Sequence, residues 1–261
     1  MKNFSTDGIL AGRLIIITGA SSGIGYGTAR RLAQMEGARV VAVARRRVFR
    51  IEALATQVRE QRGEDRIFPM TTDMADRAQA EMVVGQIVEQ FGRIDGFIHA
   101  VNRALRLTAL DVSDPEFDLT MQVNVKSALY GVQAVAPLFR AQGAGGIVIY
   151  NPTPRETTQF VASEAVYTAA AHALSALVAG WTRQIEGSGV GVREVTPTPD
   201  TDIVESAFSR KGTAHDALIV AALRDTFTAL PIAPASPKPA LLQFRQPQIL
   251  SERGGLVLKE F

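Results

Sequence analysis

Thr18-Gly19-Ala20-Ser21-Ser22-Gly23-Ile24-Gly25 is the stretch on which the fold turns. It follows Leu14-Ile15-Ile16-Ile17, a continuous apolar run, and opens a segment that reads as a helix from about Ile24. An apolar run without polar alternation suits a strand buried on both faces of a parallel sheet. Gly19 permits a tight turn after that strand, Gly23 lets backbone amides come close to an anion, and Gly25 lets the helix pack against the strand. The helix start adds partial positive charge. Strand, glycine loop and helix thus stand in the order needed to seat a pyrophosphate. A β-branched residue at position 19 is expected to fill the pyrophosphate's space and leave the fold intact.

The same alternation continues outward. Val40-Val41-Ala42-Val43, Phe97-Ile98 and Ile147-Val148-Ile149 are further buried-strand runs. Val48, Ile51, Leu54 and Val58 recur at helical spacing, as do Val83, Val84, Ile87, Val88 and Phe91. Gly37 and Gly63 stand at helix stops. The pattern predicts an α/β protein: a Rossmann-type, doubly wound parallel sheet in three α/β/α layers. There is no repeat and no interdomain linker, so residues 1–261 are expected to form a single dinucleotide-binding domain with the substrate pocket in its C-terminal half. Pro231 to Pro239 reads as a surface excursion, and Gly254 to Leu258 as a short last strand.

Composition narrows the partners. The chain has 261 residues, 46% hydrophobic and 21% charged, the balance of a soluble globular protein. With no cysteine it has no disulfide, thiol chemistry or Cys-ligated metal, and no metal site is expected. A formal net charge of +2 gives little support for a nucleic-acid partner. Apolar stretches such as Ala217 to Leu223 fall far short of the ~18 residues of a membrane span. The expectation is a cytoplasmic protein with a small-molecule substrate and no membrane partner.

The second strand ends Val43-Ala44-Arg45-Arg46-Arg47. An acid at this place usually holds a free ribose 2′-hydroxyl, and none is present. Arg45 or Arg46 suits a 2′-phosphate through charge-assisted hydrogen bonds, which predicts NADP(H).

The glycine spacing T-G-x-x-x-G-x-G resembles that of the short-chain dehydrogenase/reductase family, and the resemblance runs over nearly the whole chain. Asp73, in Thr71-Thr72-Asp73-Met74, matches the aspartate that contacts the adenine. Asn124, in Val123-Asn124-Val125-Lys126, matches the helix asparagine that organises a water relay. Tyr167 matches the tyrosine that passes the proton. Val195-Thr196-Pro197 with Thr201-Asp202 resembles the loop over the nicotinamide. The resemblance implies hydride transfer between nicotinamide and a carbonyl or alcohol, with Tyr167 and Asn124 as catalytic residues. The cofactor-binding set is Thr18, Gly19, Ser21, Ser22, Gly23, Ile24, Gly25, Arg45, Arg46, Asp73, Met74, His99, Ala100 and Thr201. It also implies a homo-oligomer, tetramer or dimer, joined through the helices that hold Asn124 and Tyr167.

The chain departs from the family where the chemistry is done. Ala171 stands four residues after Tyr167, where a lysine belongs. The serine is replaced by Pro152 or Pro154, depending on whether the strand or Tyr167 is taken as the anchor, with Asn151 and Thr153 as nearby polar groups. The usual Asn-Asn-Ala-Gly reads His99-Ala100-Val101-Asn102. His172 is expected to pack or face solvent, about 140° round the helix from Tyr167. His99 is expected either to pack in place of the family asparagine or to assist at the site. Three functions follow: an NADPH-dependent reductase of a small carbonyl compound, a catalytically silent NADP(H)-binding sensor or oligomer subunit, or a non-redox lyase or isomerase.

Overall fold

The computed structural model describes residues 9–151, 162–196 and 214–228. Its elements are β1 (Leu14–Thr18), α1 (Gly23–Met35), β2 (Arg39–Ala44), α2 (Phe49–Arg62), β3 (Ile67–Thr71), α3 (Arg77–Phe91) and β4 (Gly96–His99). Then come α4 (Asp114–Met121), a π-helical turn (Gln122–Lys126), α5 (Ser127–Gln142), β5 (Gly145–Tyr150), α6 (Ala165–Gln184), β6 (Val190–Val195) and α7 (Ala214–Thr228). The strands make one sheet in the order β3-β2-β1-β4-β5-β6, every pair parallel. This is a doubly wound parallel sheet, as the alternation predicts.

Alternate residues of the central strands feed two cores. Leu14, Ile16, Val41, Val43, Phe97, Ile147 and Ile149 pack with residues of α3, α5 and α6 on one face. Ile15, Ile17, Val40, Ala42, Ile98 and Val148 pack with α1, α2 and α7 on the other. All five residues of β1 are buried, as its unbroken apolar run requires. Glycines with positive φ end the helices: Gly37 (+70°) follows α1 and Gly63 (+76°) caps α2. α7 is fixed to α1 by the forked pair of Arg224 on buried Glu36, at 2.5–3.0 Å, and by Gly27, whose missing Cβ leaves room for the Asp216 carboxylate. Among the described residues no helix is long and apolar enough to cross a membrane, and no group of three metal-ligating side chains forms. The segments read as a proline-rich excursion and a last strand lie outside the described residues.

The winding reverses between β1 and β4: β2 lies to one side of β1, and β4 and β5 lie to the other. In such sheets a crevice opens there, beyond the carboxyl ends of the strands.

Candidate functional site

A cavity of about 460 Å³ occupies that crevice. Its wall comprises Gly19, Ser21 and Ser22 of the glycine loop, Val43 to Arg47 at the end of β2, Thr72 to Ala75 after β3, Val101 to Arg103 after β4, and Leu119, Val123 and Ser127. Bare backbone makes the floor possible. Gly19 has φ +77°, and a Cβ there would lie 2.6 Å from the Ala100 carbonyl oxygen; a Cβ on Gly25 would overlap the Gly19 carbonyl. The loop is tied to its neighbours by Ala20 N–H to Val43 O (3.1 Å) and Ala100 N–H to Thr18 O (3.1 Å). Ser22 takes the extended cap position of α1, and the first turn, with Ile24, carries no acid, so the helix's positive end is not neutralised locally.

The second wall is cationic. Arg45, Arg46 and Arg47 all line the cavity and are exposed. Arg45 donates to Asp73 at 3.0 Å, in a partly exposed pair. The other Asp73 oxygen accepts from Ala75 N–H at 3.0 Å, so this carboxylate also shapes its own loop. Met74 is buried against the core while lining the cavity. Arg47, with φ +59°, has no counterpart in the sequence expectation, because position alone does not separate it from a solvated arginine.

His99 does not line the cavity. Its ring is wholly buried, with Nδ1 2.9 Å from Thr18 Oγ1 and Nε2 3.2 Å from Ser127 Oγ. Ser127 donates its hydroxyl proton to Val123 O, so Nε2–H must be the donor to Ser127, and Nδ1 accepts from Thr18. His99 thereby joins β1 to α5 as a neutral ring, and burial lowers its pKa from 6.5 to about 3. The unfolded chain takes up this proton below pH 6.5 while the folded chain refuses it until about pH 3, so the stabilising contribution is lost as pH falls through that window. The slope is at most about 1.4 kcal/mol per pH unit. His99→Asn removes the titration. In urea denaturation the stability advantage of wild type over His99→Asn should narrow steadily between pH 7 and 4; a constant gap would refute the assignment.

Asn124, on the π-helical turn, is engaged with backbone. It accepts from Arg103 N–H at 2.7 Å and donates to Arg103 O at 2.9 Å. The Arg103 guanidinium reaches Thr120 Oγ1 at 2.9 Å. Tyr167, half-buried in the first turn of α6, accepts a hydrogen bond from Asn102 Nδ2 at 2.8 Å. Ala171 is buried on the same helix. Asn151 is 1% exposed and gives its amide to Ala171 O, Ser175 Oγ and Glu194 Oε1 at 2.8–3.0 Å, which commits that amide to α6 and β6. His172 is exposed and bonds Thr168 O at 2.9 Å. Trp181 is core. Thr201, Pro152, Thr153 and Pro154 lie outside the described residues.

Comparison with known proteins places this chain in a family. An uncharacterized oxidoreductase of Staphylococcus haemolyticus is 31% identical over 199 residues, covering 75% of this chain and 82% of that relative. A metagenomic short-chain oxidoreductase solved in complex with NADP superposes with a TM-score of 0.72 at 22% identity, over 83% of this chain and 91% of that one. The L-sorbose reductase of Gluconobacter frateurii, solved with NADPH and L-sorbose, gives 0.65 at 26% identity, over 73% and 72%. The family model described as short chain dehydrogenase matches residues 13–212. With that match over three quarters of its length, on a six-stranded, doubly wound parallel sheet, the chain belongs to the short-chain dehydrogenase/reductase family of oxidoreductases.

Proposed function

We propose that the protein is an NADPH-dependent reductase of a small carbonyl compound. The observation that carries the cofactor is the cluster of Arg45, Arg46 and Arg47 on the cavity wall, where β2 ends without an acid. The donor set suits a phosphorylated dinucleotide: an unneutralised helix start and a glycine loop on one wall, guanidinium groups on the next. The L-sorbose reductase that the chain resembles was solved with NADPH. Bound NADPH supplies a hydride to the carbonyl carbon. Tyr167 holds the proton that goes to the carbonyl oxygen, Asn124 fixes the Arg103 backbone beside it, and Asp73 and Met74 shape the adenine end. Phe117 exposes apolar surface on α4, which supports a homo-oligomer through the helices around Asn124 and Tyr167.

The direction follows from Ala171. Without a cation on its helix face, a phenol is an abundant acid and a scarce base at neutral pH. Wild type should therefore oxidise NADPH over a panel of carbonyls, slowly, and reduce NADP over the matching alcohols more slowly still. Tyr167→Phe should lose about a hundredfold or more, the usual worth of a placed general acid. Ala171→Lys should help alcohol oxidation most. Fast alcohol oxidation by wild type at neutral pH, or carbonyl reduction that survives Tyr167→Phe, would overturn the mechanism. A second reading, a silent NADP(H)-binding protein, is favoured by the commitment of the Asn151 amide away from Tyr167; tight NADPH binding without turnover in any variant would establish it.

A further inference from the structure

The loop after β4 carries a contact to Tyr167 that Ala171 and the missing serine make significant. Asn102 Nδ2 lies 2.8 Å from the Tyr167 hydroxyl, and Asn102 also lines the cavity. The loop is pinned beside it. Asn124 grips both backbone groups of Arg103, the Arg103 side chain reaches Thr120, and Arg106 pairs with Glu164 at 3.6 Å just ahead of α6. The backbone next to Asn102 is therefore fixed, which limits where its carboxamide can lie.

We infer that Asn102 is a positioning residue for Tyr167, a neutral donor that orients its hydroxyl and supports its oxygen once the proton has left. An amide donor on the phenol oxygen leaves the hydroxyl's own hydrogen to be given to a different group. When that hydrogen is transferred, the same N–H faces a phenolate, and a hydrogen bond to an ionised acceptor is stronger than one to a neutral acceptor. The contact thus favours proton release, by less than an ammonium would, and adds no charge to the site. For its consequence in turnover the inference rests on the reductase reading; the contact itself does not.

The titratable groups around Tyr167 dictate the measurement. Tyr150 on β5 is close by: its phenol is pushed up chiefly by burial, then by the charges of Tyr167 and of Asp216 on α7. Glu164, on the turn before α6, is paired with Arg106. The chain has four tyrosines, so tyrosine labelled isotopically at Cζ gives four separable resonances, with Tyr167 assigned by its loss in Tyr167→Phe. In nucleotide-free protein, Asn102→Ala should shift the Tyr167 resonance at neutral pH and raise its ionisation midpoint by about one pH unit. The near-isosteric Asn102→Asp should raise it further, because a carboxylate opposes the phenolate. A merely structural loss would not order the three proteins in this way. Identical Tyr167 resonances and midpoints in all three would overturn the inference. So would a downward move in Asn102→Ala, which would mean that the carboxamide presents its oxygen. Under the reductase reading Asn102→Ala also lowers kcat several-fold. If wild type reduces no carbonyl, that reading fails, and the resonances still decide the role of Asn102.

Discussion

Alanine at Gly19 should destabilise the protein by several kcal/mol, whereas alanine at Gly63 should cost about 1–2 kcal/mol, although the two glycines share a positive φ. Their φ angles are +77° and +76°. An L-residue in this region costs about 1–2 kcal/mol at either site. What differs is space. A Cβ at Gly63 meets nothing within 4 Å, while one at Gly19 meets the Ala100 carbonyl oxygen at 2.6 Å, its carbon at 2.8 Å and Val101 N at 2.9 Å. Those are backbone atoms at the end of a central strand and cannot rotate away, so overpacking adds about 1–3 kcal/mol. Urea unfolding of Gly19→Ala and Gly63→Ala isolates this term, because subtracting one from the other removes the φ cost. Equal losses would show that the loop is free to lift off β4. The geometry also revises an expectation from the sequence. The side chain at position 19 aims at β4, so Gly19→Val should lose the fold before any effect on nucleotide binding can be read.

The central strands were legible because each is buried on both faces and so spells out an unbroken apolar run. The edges were not. β3 reads Ile-Phe-Pro-Met-Thr, and β6 reads Val-Gly-Val-Arg-Glu-Val. Each has a neighbour on one side only in the described sheet, is partly exposed, and tolerates proline or charge that would be excluded from β1. Without a continuous run they give little periodic signal. The π-helical turn at Asn124 was equally silent, since an inserted hydrogen-bond register changes no residue type.

The site divides along similar lines. Gly19, Gly25 and the arginines after β2 announce themselves by type, spacing and sign. Asn102 does not. It sits where the family pattern has a glycine, and its meaning comes from Tyr167, 65 residues away in sequence. His99 shows the converse. Its place at the end of β4 allowed a functional role or a packing role, and only burial with both ring nitrogens engaged supports the packing one. The Asn151 amide, a nearby polar group in the sequence, is drawn off by Glu194, a residue on an unrecognised edge strand.

The remaining large effect concerns cofactor choice. NADPH should bind about a hundredfold more tightly than NADH, and the preference should vanish in an Arg45→Ala, Arg46→Ala double variant. A guanidinium fork on a 2′-phosphate makes charge-assisted hydrogen bonds of about 1.5–3 kcal/mol each, and every 1.4 kcal/mol is a factor of ten. Against this stands the Arg45–Asp73 pair that the phosphate would have to loosen. That pair is partly exposed, worth less than about 1 kcal/mol, so it trims the preference without cancelling it. Because the arginines face solvent, the preference should also shrink as salt is raised, which a preference built on shape alone would not do. Titration calorimetry of both nucleotides, at two ionic strengths, tests each part. Equal affinities in wild type would remove NADP(H) from the proposed function. A preference that survives the double variant and disappears only when Arg47→Ala is added would move the phosphate contact to Arg47, whose left-handed backbone already turns it out of the helical path of α2.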